Sequence, residues 1–162
     1  MTNEKGMTRE SYRLSLIKLE EPSPEWVKGC IERGFTLEKP HEDERHEILK
    51  KKLLSYKGWA VCIYNEEDLE KLLSDRSKLY FAAHLRMKAG LPSQCHFNTC
   101  RNHEDYGYKI CTGYALTRDG MWRQHSWGLD GRNIIETTTR RILYYGFEMT
   151  DTETKEFCYD NI

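Results

Sequence analysis

Between Pro24 and Tyr56, apolar residues recur at helical spacing among charged ones. Ser23, Pro24 and Glu25 read as an N-cap with proline at the first helical position, and Gly34 as the stop. From His41 to Tyr56, Ile48, Leu49, Leu53 and Leu54 make the apolar stripe of a second helix, ended by Gly58. Trp59 to Tyr64 is a short apolar, strand-like run. Asn65 is expected to cap a third helix over Glu66–Ala89, with Asp68 at the capping-box position, a break near Ser74–Ser77, and Gly90 closing it. After Pro92 a polar helix starts near Cys95, and then the pattern changes. Lys109–Thr117, Met121–Leu129 and Asn133–Thr138 alternate as strands do, separated by Asp119–Gly120 and Asp130–Gly131. Asp-Gly suits a two-residue hairpin turn because both central residues of type I′ need positive φ. A fourth strand is predicted over Arg141–Met149, and a short helix or tail over Asp151–Ile162. Helices first and an antiparallel meander afterwards argue an α+β fold. It reads as one domain over residues 1–162: a helical half (1–90), a core in which a Cys-bearing helix packs on the meander (91–150), and a C-terminal segment (151–162).

Composition narrows the class. The 25 Lys and Arg balance 26 Asp and Glu, so the net charge of −1 gives no reason to expect nucleic acid as a partner. No apolar run approaches the roughly 18–20 residues needed to cross a bilayer, and Met1–Glu10 lacks the apolar core of a signal peptide. The expectation is a soluble cytoplasmic protein whose six cysteines are thiols. Oligomeric state is not legible.

The two Asp-Gly turns carry the candidate chemistry. A two-residue loop at Asp130–Gly131 puts His125 directly opposite Glu136, and one at Asp119–Gly120 puts Tyr114 opposite His125 on the other side. The expected ladder is Tyr114–His125–Glu136. A His beside a carboxylate is held in one tautomer and becomes a better base, with Nδ1–H on Glu136 and Nε2 free. Trp127 shares that face and walls it. Cys95 begins a helix, where the macrodipole and free backbone N–H groups favour a thiolate and can hold an oxyanion, helped by an amide such as Gln94. Nucleophile, base and orienting acid are then Cys95, His125 and Glu136.

QCHFN, then TGYAL, HSW and IIETT, resembles the core of papain-like and transglutaminase-like cysteine enzymes. It is similar also to a microbial branch with Cys…Asn, Gly-Tyr-Ala, His-x-Trp and Asp/Glu-x-Thr in that order. The likeness spans about residues 94–146. Residue by residue it implies Cys95 as nucleophile, His125 as base and Glu136 as orienting carboxylate, with Gln94 and Asn98 beside the site and no cofactor. Ser126 stands where Ala is commoner, Glu136 for Asp and Thr137 for Pro. The implied reaction is hydrolysis or acyl transfer on a peptide, amide or thioester through an acyl-enzyme. Two alternatives stay open: a non-catalytic papain-like binding domain, and a zinc-stabilised interaction domain using Cys95, Cys100 and His103.

Overall fold

The computed structural model describes residues 6–162. A short helix α1 (Arg9–Ser15), which the sequence pattern did not announce, precedes α2 (Pro24–Glu32). Helix α2 starts as its cap dictates, with the Ser23 hydroxyl accepting from Trp26 N. Helix α3 (Glu44–Tyr56) begins three residues after His41, because the Asp43 carboxylate accepts from both Arg45 N and His46 N. Its Leu49 and Leu53 are fully buried.

Strand β1 (Ala60–Cys62) follows, and then the structure departs from the pattern. Instead of one helix over 66–89, there is a five-residue α4 (Leu69–Leu73), strand β2 (Lys78–Phe81), a 3₁₀ turn (Ala82–His84) and strand β3 (Leu85–Met87). These short apolar runs become strands because each finds a sheet edge. β2 pairs antiparallel with β7 (Leu143–Glu148), and β3 pairs parallel with β6 (Asn133–Glu136). His46 also departs from the surface position its helix suggests. It is 4% exposed, and its Nε2 accepts from Glu66 N at 3.0 Å.

The remaining elements are α5 (Cys95–Tyr106), β4 (Lys109–Leu116), β5 (Met121–Asp130) and α6 (Asp151–Asn161). The fold is mixed α+β, with a largely antiparallel sheet in the order β2-β7-β4-β5-β6-β3. It is not a simple meander. β4, β5 and β6 are consecutive hairpin strands, but β7 returns beside β4, so the four form a Greek key. Trp122, Tyr114, Leu116, Tyr145 and Phe147 cover one face and pack against α3, α4 and α5, while Trp127, Cys111, Ala115 and Tyr144 cover the other. No helix among the described residues is long and apolar enough to cross a membrane.

One detail of the sheet positions the site. β1 pairs with Met121–Arg123 and β6 with Gly128–Asp130, both on the edge of β5 that β4 does not use. The stretch Gln124–Trp127 is therefore left without a strand on that edge. After β3 the chain runs beside the end of β6, with Lys88 N on Glu136 O and Gly90 N on Thr137 O. It then turns into α5, which packs against β5.

Candidate active site

Both hairpins depart from the expected turns, the first by one and the second by two in the sum of paired positions, with different consequences. At the first, the loop has three residues, Arg118 to Gly120, with Thr117 N bonded to Met121 O and Gly120 at φ +85°. Asp119 holds the extra residue: its carboxylate accepts from Met121 N and pairs with Arg123 at 2.8 Å. Leu116 consequently faces Trp122, and His125 faces Gly113 rather than Tyr114. An odd slip turns a strand over. Tyr114 sits on the opposite face, its hydroxyl donating to Glu66 at 2.9 Å, and is not part of the site.

At the second, Asp130 pairs with Asn133, so the loop is Gly131–Arg132. Gly131 alone takes positive φ (+60°), the pattern of a II′ turn with glycine first rather than the I′ turn expected from Asp-Gly. The sum of paired positions moves by two, which keeps every side chain on its face. His125 and Glu136 are diagonal rather than opposed, and still meet.

Glu136 is fully buried and its carboxylate is surrounded by donors. His125 Nε2 lies 2.8 and 3.1 Å from its two oxygens, Tyr144 Oη donates at 2.8 Å, and Thr137 N and Thr138 N donate at 2.8 and 3.3 Å. The nitrogen on the carboxylate is thus Nε2, the reverse of the expected tautomer arrangement, and Nδ1 is the ring nitrogen left for another partner. Trp127, fully buried, stacks along His125 with ring centroids 6.3 Å apart and an interplanar angle of 22°.

Cys95 is the first residue of α5. It enters the helix after Ser93, the one non-glycine residue among those described with positive φ (+58°), and no side chain caps the helix. The first-turn N–H groups therefore have no helical or capping acceptor. Burial pushes the Cys95 thiol up, but hydrogen bonds with His125 and His96, and their charge, outweigh it and bring the thiol down to about 5. On His125, burial pushes the pKa down, and the hydrogen bonds to Cys95 and Glu136 raise it further than burial lowers it. Burial likewise pushes Glu136 up, and the His125 and Tyr144 hydrogen bonds hold it below its ordinary value. All three shifts favour a thiolate–imidazolium pair backed by a carboxylate.

Of the two amides expected beside the thiol, Gln94 is exposed at the helix start. Asn98 is occupied elsewhere, its Oδ1 accepting from Leu91 N at 3.0 Å and its Nδ2 donating to Leu91 O at 2.8 Å. That clamp fixes the loop that delivers Cys95. Cys95, Cys100 and His103 do not converge. Cys100 is buried against Cys158, His103 Nδ1 bonds Tyr108 O at 2.7 Å, and no group of three or more His, Cys, Asp or Glu among the described residues is placed to hold a metal.

Three residues at this site have no place in the triad that the sequence predicts. Tyr144 is ordinary strand composition by sequence, and only the pairing of β7 with β4 puts it over Glu136. His96 and Ser126 meet, Nδ1 to Oγ, at 2.6 Å across α5 and β5, a contact no local pattern encodes. Comparison with family models, curated proteins and solved structures finds no match for the chain.

Proposed function

We propose that the protein is a cysteine-dependent hydrolase or acyltransferase with a papain-like or transglutaminase-like core, acting on an amide or thioester through an acyl-enzyme. The observation that carries this reading is one buried imidazole held by Glu136 through Nε2 and hydrogen-bonded also to Cys95, a thiol at an uncapped helix start. The order Cys95, His125, Glu136 along the chain fits the same reading.

The chemistry follows from these positions. The Cys95 proton rests on His125, whose charge Glu136 balances. The thiolate attacks the acyl carbon, and the developing oxyanion is met by the free N–H groups of the first turn of α5. His125 passes its proton to the leaving amine or thiol, then takes one from water or an acceptor nucleophile, and the acyl–sulfur bond breaks. The helix dipole adds to the stabilisation of negative charge on sulfur and oxygen.

The test is labelling at pH 6 with iodoacetamide and with an electrophilic acyl ester, the modified residue being identified by peptide mass spectrometry. Cys95 is expected to react ahead of the other five thiols. Cys95→Ala should abolish both labels at this position and leave the far-UV circular dichroism spectrum unchanged. Alkylation without acyl labelling would favour the binding-domain alternative, and equal reactivity of Cys95 and Cys158 would overturn the nucleophile assignment.

A further inference from the structure

The nucleophile has a second imidazole. His96 Nδ1 lies 3.7 Å from Cys95 Sγ and 2.6 Å from Ser126 Oγ. Ser126 is fully buried on β5, and the Phe157 ring of α6 closes edge-on against His96 at 5.1 Å between centroids. Ring position is therefore fixed from two elements. Consecutive residues of a strand point to opposite faces, so His125 and Ser126 project on opposite sides of β5. Because Gln124–Trp127 has no strand on its free edge, α5 begins where it can use both sides. His125 approaches the sulfur from one face of the sheet and His96, anchored on Ser126, from the other.

We propose that His96 is a positioning residue whose single Nδ1–H is shared between Ser126 Oγ and the Cys95 thiolate, holding charge on sulfur whenever His125 is engaged with substrate. This rests on Cys95 being the nucleophile. The sulfur carries negative charge twice in the cycle, before attack and again when the acyl–sulfur bond breaks. In the second event His125 is taking a proton from the incoming nucleophile, so a donor that keeps its own proton steadies the departing thiolate. Nothing is transferred to or from His96.

The groups facing the thiol are few. From β5 there is His125, backed by Glu136. From α6, Phe157 is apolar and Cys158 meets Cys100 instead, with Glu104 acting on those two sulfurs. From β4, the Cys111 thiol lies against Tyr80. The remaining contributor is His96.

The test is the pH dependence of Cys95 alkylation by iodoacetamide in the full chain, compared among wild type, His96→Phe and His96→Asn. Phe keeps a ring against Phe157 and removes the donor, whereas the Asn amide places an N–H near the Nδ1 position. His96→Phe is expected to raise the alkylation midpoint by about 1–2 pH units, the size of a hydrogen bond to a charged acceptor. His96→Asn should stay within about half a unit of wild type. Circular dichroism checks folding, and His96→Leu carries the same expectation should the Phe variant not fold. Equal midpoints in all variants would overturn the role of His96 and leave the proposed nucleophile standing. Failure of wild-type Cys95 to alkylate preferentially at pH 6 would overturn both.

Discussion

Replacing Glu136 by Gln preserves shape and removes charge. Thr137 N and Thr138 N, on one oxygen, can only donate, so the Gln carbonyl must stay on them and its NH₂ must turn toward His125 and Tyr144. His125 Nε2 then has to accept, which places the ring proton on Nδ1, the nitrogen that Glu136 does not bond. An imidazole protonated there cannot take the thiol proton, and the thiolate loses its cation. Full return of Cys95 from about 5 to an ordinary value of about 8.5 sets the upper limit of the effect. At pH 6 the ionised fraction would fall from about nine-tenths to about 0.3%. The more basic thiolate is about 25- to 55-fold more nucleophilic for a Brønsted slope of about 0.4–0.5. Alkylation should therefore be about five- to twelvefold slower at pH 6 and about 20- to 40-fold faster at pH 9. Acyl transfer, which needs the imidazolium as the acid, should fall on the order of 10²- to 10⁴-fold.

The stability consequence of Glu136→Gln has a defined sign. A depressed carboxylate such as Glu136 contributes stability above its unfolded pKa of about 4.3 and loses it as pH falls through the folded value. A raised imidazole such as His125 contributes below about 6.5 and loses it as pH rises through the folded value. The difference in melting temperature between wild type and Glu136→Gln should be largest between about pH 4.5 and 6.5. Crossing alkylation profiles in iodoacetamide kinetics are the signature. Profiles that superimpose from pH 5 to 9 would refute any control of the thiol by Glu136.

Two further substitutions probe the frame of the site. Tyr144→Phe deletes a 2.8 Å donor to the buried carboxylate and should cost about 1.5–3 kcal/mol, seen as a drop of several degrees in a thermal melt at pH 6; no shift would mean the hydroxyl is not holding Glu136. Gly113→Ala places a Cβ 2.1 Å from Tyr145 O and 2.6 Å from Gly146 Cα, both backbone atoms, so β4 and β7 must separate. The expected result is insoluble protein or a loss above about 3 kcal/mol in denaturant unfolding, and a wild-type midpoint would contradict that approach.

Helix caps, strand periodicity and turn residues act within a few residues, and those features were legible. Ser23–Pro24 starts α2, β4 to β7 lie within a residue or two of where alternation puts them, and the Asp-Gly pairs do mark hairpins. The pairing of His125 with Glu136 was legible for a subtler reason: a slip of two in the paired sum leaves the face unchanged, so the contact tolerates the error in turn type. Tyr114 had no such protection, since the Asp119 side chain added one residue to the loop and turned it over. Leu79 to Met87 reads as helix because short apolar runs carry no decisive period, and those residues become strands only by finding edges on β7 and β6. The open stretch of β5, the return of β7 beside β4, and the meetings of Tyr144 with Glu136 and of His96 with Ser126 all depend on which distant segments pair. Local spacing sets which face a side chain takes within its own strand. Which edge stays free, and what fills it, is settled only when strands far apart in the chain compete for the same backbone hydrogen bonds.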